Sequence, residues 1–409
     1  MAVRFDSHKI KMITIIVFVI ILGFLIFVHE LGHFVTARRN GIRTKEFGFG
    51  FPPRAVGVQF LYKDAGRKQK NIKKPFRIIW GSKDGDDAQE QKDLAQADKE
   101  GLYGGTVYSL NWIPIGGFVK IKGEDGEHRN EKDSFSAKSP WTRIKVLGAG
   151  VAMNFLIAWI FFSVGFMLGT PQEVSDKDAV GAKIMIISVE PNSPAAQMGI
   201  VEGDIVLTQQ SNYGESIELK TVKDMQEYVA NLKGREISLK IRRGTNEMIV
   251  MGTPRAEAPK GEGLLGVGLA QVKNIKYSFF ESFFKGLEET WSVVLLTFGF
   301  ITQIFVGNKE VIKGVSGIVG IAKFTGNVIP LGLSALARFI AMLSVNLAVL
   351  NILPIPALDG GRIIFVLIEK IKGSPVNEKM EQLAHTIGFA LLMVLMVWVT
   401  YRDIARIFG

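Results

Sequence analysis

The 409-residue chain contains no cysteine and only five histidines. The first absence removes disulfides, thiolate metal ligands and cysteine nucleophiles. A metal bound by this chain must therefore be held by histidines and carboxylates. Charge is also missing, but only in places. Residues 12–28, 146–169, 339–358 and 386–400 carry no charged side chain. Apolar runs of about 18 residues or more have the length of a bilayer-crossing helix. The first run outlasts a signal-peptide core and does not end at a small-residue cleavage site. These gaps in charge predict a polytopic α-helical membrane protein with four core transmembrane helices.

What charge there is totals +10, which raises the question of nucleic acid. Its distribution excludes that class. Residues 34–142 carry 20 Lys/Arg against 14 Asp/Glu, whereas 170–283 carry 13 against 15. Arg38, Arg39, Arg43 and Lys45 follow the first apolar run; Arg129, Lys132, Lys138, Arg143 and Lys145 lead into the second. Basic residues close to the membrane mark the cytoplasmic side. The segment 34–142 is therefore expected in the cytoplasm and 170–283 outside it.

Two of the five histidines fall in His29-Glu30-Leu31-Gly32-His33. Positions i and i+4 share one helix face, so both imidazoles reach a single ion. Glu30 lies between them, placed to take a proton from water without being a ligand. Such a pentapeptide also occurs by accident at helix ends. Here it closes an apolar run, where ionisable groups are costly and usually functional. His29 lies 17 residues beyond Met12, about 26 Å along a helix. Against a hydrocarbon core of about 30 Å, that depth is inside the membrane near its cytoplasmic edge.

Catalytic zinc takes three protein ligands and keeps one position open. The candidate for the third is Asp359, in Asn351-Ile352-Leu353-Pro354-Ile355-Pro356-Ala357-Leu358-Asp359-Gly360-Gly361. The prolines stop one helix, Asp359 is expected to cap the next, and the glycines permit close approach. A plain cap facing the cytoplasm is the competing reading of Asp359. Irregular backbone at membrane depth is tolerated only inside protein or beside a cavity.

His29–Phe34 and Asn351–Gly361, together with Asn111–Lys120 and the small-residue run before Asn154, resemble the paired motifs of the site-2 proteases. These are intramembrane zinc metalloproteases, and the likeness is to their bacterial branch that carries PDZ domains, the regulator of sigma-E protease type. It runs in family order over nearly the whole chain. It implies that His29, His33 and Asp359 bind one Zn2+, that Glu30 is the general base, and that Asn351 engages substrate. From the residues alone, Asn351 reads equally as an interhelical hydrogen-bonding group. The resemblance further implies a bacterial inner-membrane endopeptidase that cleaves transmembrane segments of single-pass proteins already trimmed outside. Such substrates are anti-sigma factors, other membrane regulators or signal-peptide remnants. A non-enzymatic adaptor with a vestigial site is the rival, and Glu30 with all three candidate ligands argues against it.

The remaining segments divide as follows. Residues 1–37 form the first transmembrane helix. In 38–142, the stretches 43–61 and 106–123 read as strands of a β-hairpin, interrupted by a charged insert at 63–104. The second helix spans 143–169, where Gly148 and Ala152 offer a small-xxx-small packing face. Residues 170–260, centred on 181–255, resemble one PDZ domain, with strands at 183–189, 204–209, 236–242 and 247–252 and a helix at 221–232. Such a domain takes a peptide or C-terminal tail, or excludes bulky substrates. A linker, 261–335, contains an apolar stretch at 290–308. If that stretch alone crossed, Asp359 would arrive on the wrong side of the bilayer, so either it lies at the outer interface or 311–335 crosses back; an interfacial helix is expected. The third and fourth transmembrane helices are assigned to 336–372 and 373–409, which leaves both termini outside.

Overall fold

The computed structural model describes residues 7–63, 76–81, 102–124, 126, 128–174, 181–210, 216–244, 246–259 and 261–408. The chain separates into two compact units. One comprises 1–158, 290–325 and 340–409; the other comprises 159–289 and 326–339.

The first unit is mainly helical. Helix α1, Ser7–Arg39, is followed by β1 (Thr44–Lys63), β2 (Phe76–Trp80), β3 (Leu102–Ile121) and α2 (Pro140–Leu168). Helix α1 stops because Gly41 turns left-handed at φ +64° and Ile42 N–H bonds back to the Ala37 carbonyl at 3.0 Å. Arg38 and Arg39 complement the negative end of the helix dipole. Helix α2 opens on Pro140, whose missing N–H costs nothing in the first turn.

Beyond the second unit's β-rich stretch, described below, the helices continue: α5 (Phe279–Phe305), α6 (Lys309–Gly314), α7 (Ile318–Val328), α8 (Leu333–Ile352), α9 (Asp359–Lys372) and α10 (Glu378–Phe408). Among the described residues, four helices are long and apolar enough to cross a membrane: Met12–Arg39, Pro140–Leu168, Leu333–Ile352 and Glu378–Arg406. The segment expected as one third helix, 336–372, is two. Helix α8 ends at Ile352 and α9 begins at Asp359, because Pro354 and Pro356 cannot continue the hydrogen-bond ladder. Helix α5 is not among the four; its first turns expose Phe279, Phe280, Phe283 and Phe284, which suits an amphipathic helix.

The strands of this unit form one antiparallel sheet in the order β2-β1-β3. Both β1 and β3 bend. Residues around Phe47–Phe49 of β1 pair with Tyr108–Leu110 on one side and Gly117–Val119 on the other. The stretches 43–61 and 106–123 are thus strands. Most of the insert 63–104 lies outside the described residues; its residues 76–80 form β2.

The second unit is β-rich. Strands β4 (Thr170–Glu173), β5 (Lys183–Val189), β6 (Ile205–Gln210), β7 (Ser216–Glu218), β8 (Ile237–Arg243), β9 (Asn246–Gly252) and β10 (Val267–Ile275) build one sheet. Its order is β4-β10-β5-β6-β8-β9, with β7 on β6. Helices α3 (Pro194–Gln197) and α4 (Val222–Asn231) lie in the same segment. The core is Ile184, Ile186, Val206, Met225, Ile237, Leu239 and Ile241, all nearly or fully buried. Helix α4 starts with a capping box in which Thr221 and Asp224 satisfy each other's backbone N–H. The four strands and the helix lie where the sequence places them. The sheet also runs beyond residue 260, since β10 joins β4 to β5.

Candidate metal centre

His29 and His33 lie on the inward face of α1, both buried. They are held in place from two directions. Phe27 and Phe34 flank the pair and contact Phe47 of β1 at 5.2 and 4.5 Å between ring centroids. On the other side α2 comes into backbone contact. A Cβ at Gly32 would lie 2.4 Å from the Ala149 carbonyl oxygen; one at Gly150 would lie 2.4 Å from His33 Nε2 and 2.8 Å from His29 Nε2. Gly150, and not Gly148, therefore makes the close approach. A Cβ at Gly148 meets nothing within 4 Å, and Ala152 is exposed. The small-xxx-small pair predicts the right helix but the wrong face, because its spacing does not say which side the partner occupies.

Asp359 completes the cluster. The three donor atoms are His29 Nε2, His33 Nε2 and Asp359 Oδ2. They lie 3.1 Å apart (His29–His33), 3.1 Å apart (His29–Asp359) and 3.4 Å apart (His33–Asp359). No other group of three His, Cys, Asp or Glu among the described residues gathers its ligand atoms this way. Asp359 is the first residue of α9, and the cap is Leu358, which makes no side-chain capping bond. The expected cap position is thus off by one, because the carboxylate turns to the histidines instead of the helix backbone. The turn before it is tight: Leu358 N–H bonds to the Ile355 carbonyl at 3.1 Å. Gly360 and Gly361 are required by this packing, since a Cβ on either would come within 2.4 Å of the carbonyls of Ile352, Leu353 or Ile355.

Proton positions follow from the outer partners. His33 Nδ1 lies 2.8 Å from the Val146 carbonyl, which can only accept. Nδ1 therefore carries the proton and Nε2 presents a lone pair to the cluster. His29 Nδ1 lies 3.3 Å from Asn154 Nδ2, while Asn154 Oδ1 has no partner among the described residues. With the amide turned through 180°, Oδ1 accepts from His29 Nδ1–H, which again leaves Nε2 bare. Asp359 Oδ2 also lacks a hydrogen-bond donor among the described residues. Three groups with lone pairs thus converge at contact distance, an arrangement that could hold a cation between them. Tetrahedral zinc with bonds of about 2.05 Å spaces its ligand atoms about 3.3 Å apart, which these residues fit.

Glu30 is partly buried and within electrostatic reach of His29, His33, Asp359 and Glu124. Asn351 is the penultimate residue of α8, partly buried, and no hydrogen bond joins it to the three donors among the described residues. Three contributors escape a reading of the sequence: Val146, Gly150 and Asn154. A backbone carbonyl has no sequence signal. Asn154 has one, as a fully buried polar residue in an apolar helix, further tied to α8 by Ser344 Oγ–H bonding its carbonyl at 2.7 Å.

The family model for Peptidase family M50 matches residues 17–63 and 99–395. A protein of Clostridium perfringens is 34% identical over 380 residues, covering 93% of this chain and 95% of its own length. The regulator of sigma-W protease RasP of Bacillus subtilis is 30% identical over 433 residues, covering 97% and 99%. The zinc metalloprotease RasP of Bacillus licheniformis is 31% identical over 433 residues, with the same coverage.

Proposed function

This chain belongs to peptidase family M50, the site-2 proteases, and is itself a multi-pass bacterial membrane protein and a zinc metalloprotease; on that premise we propose that it cleaves peptide bonds within membrane-spanning segments of other proteins. The observation that carries the proposal is the convergence of His29 Nε2, His33 Nε2 and Asp359 Oδ2 on one point, the histidines on a helix long and apolar enough to cross a bilayer and Asp359 a few residues beyond the end of another.

His29, His33 and Asp359 hold the ion. When bound, zinc supplies a Lewis acid that polarises the scissile carbonyl and brings the pKa of water toward 7. Glu30 takes the proton from the attacking water and passes it to the leaving nitrogen. Val146 and Asn154 fix the ring tautomers, which keeps both Nε2 atoms available. Asn351, on the last turn of α8, engages the substrate backbone. The sheet has a matching role. Gly116 and Gly117 of β3 press against Gly23, Ile26 and Phe27 of α1, one turn before His29. A strand so placed pairs with a substrate unwound from its helix and exposes its carbonyl.

The β-rich unit is a single PDZ domain on the extracytoplasmic side of the inner membrane. A cavity of about 230 Å³ between α4 and β10, lined by Met225, Val229, Leu264, Leu265, Val267 and Leu269, supports an apolar peptide or tail. The substrates are single-pass proteins shortened outside beforehand, such as anti-sigma factors or signal-peptide remnants. The test is Glu30→Gln in purified full-length protein. One zinc per chain should be retained while cleavage of a transmembrane reporter drops about 10²–10⁴-fold. Cleavage at the wild-type rate would overturn the mechanism.

A further inference from the structure

His385 lies on α10, in a part of the chain that contributes no ligand to the metal centre. Its Nδ1 accepts a hydrogen bond from the backbone N–H of Ala357 at 2.8 Å. Ala357 is two residues before Asp359 and adopts φ +80°. With Pro356 second, Ala357 third and the Leu358 N–H to Ile355 carbonyl bond, residues 355–358 follow a type II turn. That turn calls for glycine at its third position, because a Cβ resists positive φ. This chain has alanine there, so the conformation must be held from outside.

The holding contacts come from α10. Besides the His385 bond, Gly388, one turn further on, brings the helix backbone against Pro356. A Cβ there would lie 2.4 Å from the Pro356 carbonyl oxygen. Phe365 of α9 packs beside the His385 ring, with centroids 5.4 Å apart. The imidazole is thus set between the turn that precedes Asp359 and the helix that follows it. Because Nδ1 accepts, the ring is neutral and its proton is on Nε2.

We propose that His385 is a positioning residue for the metal centre: its bond to Ala357 N–H holds the strained turn that delivers Asp359 to the two histidines. The inference rests on Asp359 being a zinc ligand. The bond at Nδ1 needs only an acceptor of the right reach; the other ring nitrogen, Nε2, lies 3.9 Å from Glu381 Oε1 on the same helix. An asparagine places Oδ1 close to where Nδ1 stands, whereas leucine fills similar space without accepting.

The test is zinc affinity of the full-length protein in nanodiscs, measured by competition with a chromophoric chelator, together with the visible spectrum of the Co2+-loaded protein. His385→Leu should weaken zinc about tenfold, toward the range seen when outer-sphere partners of a metal ligand are removed, and change the cobalt spectrum. His385→Asn should stay within about threefold of wild type. Placing His385→Leu on an Ala357→Gly background should recover most of the loss, because glycine adopts the turn without being held. Wild-type affinity and spectrum in His385→Leu would overturn the proposal, as would equal losses in His385→Asn and His385→Leu. If His385→Leu alone fails to fold, the Ala357→Gly pair decides: the double variant within threefold of wild type supports the proposal, and a tenfold loss in it overturns it. A wild-type protein without stoichiometric zinc refutes the metal-centre reading itself, an outcome distinct from any of these.

Discussion

Two aspartates, one in each unit, Asp204 buried and Asp359 partly buried, meet opposite fates. In the β-rich unit, Asp204 has both carboxylate oxygens occupied. Arg243 donates to them at 2.8 and 2.7 Å, and Val201 N–H adds a third bond at 2.9 Å. In the helical unit, Asp359 faces two imidazole lone pairs, and its Oδ2 has no donor among the described residues. Both carboxylates are withdrawn from water, and withdrawal is costly without compensation. The first is compensated by its own chain and reads as structure. The second is left incomplete by its neighbours among the described residues, as a metal ligand would be. A buried polar group left incomplete by its neighbours is the better pointer to function.

Removing each carboxylate should separate the two roles. Asp359→Ala should abolish stoichiometric zinc and reduce cleavage to background, while hydrogen exchange in the β-rich unit stays unchanged. Loss of protection there would mean that Asp359 is structural too. Asp204→Ala should do the reverse. It leaves Arg243 without its partner and should cost the β-rich unit about 2–4 kcal/mol by hydrogen exchange, somewhat under the full buried-pair figure because Arg243 is partly exposed. Zinc content should not move. Gly150→Ala inserts a methyl group where the imidazoles stand and should weaken zinc about tenfold or more, with Gly148→Ala, which meets open space, as the neutral control. The smallest effect concerns acid. The Thr221 backbone and side-chain hydrogen bonds hold the Asp224 carboxyl below its ordinary value of 3.8. The stability it contributes is present above that value and is lost as pH falls through the lowered one. Asp224→Asn should therefore flatten the acid limb of unfolding below about pH 4, with zinc binding at neutral pH unaffected.

Much of this was legible in advance, for reasons that differ by element. His29, Glu30 and His33 are readable because helical period and ligand spacing coincide. Asp359 is readable because prolines break a helix wherever they occur, and a charge after such a break inside an apolar stretch is rare. The strand at 236–242 alternates plainly between apolar and polar, and 183–189 is a short apolar run rich in isoleucine. Strand β10 does not announce itself, since it follows the glycine-rich Gly261–Gly266 and lies past the last clear turn. Gly150 is indistinguishable in sequence from Gly148, because only tertiary contact tells which glycine faces the histidines. Asn154 and His385 act on backbone or ring atoms far away in the chain, and no local pattern encodes that.

The distance along the chain between the ligands has a consequence in time. His33 and Asp359 are separated by 326 residues. At about 5–20 residues per second, on the order of 15–65 seconds of synthesis separate them. During that interval the first two helices can already be packed through Gly32 and Gly150, with two imidazoles in place and no third ligand. On the proposed ligand set, the nascent chain carries a half-built site until Asp359 has been made. On the same reading, the third ligand arrives only after the segments between His33 and Asp359 have been made.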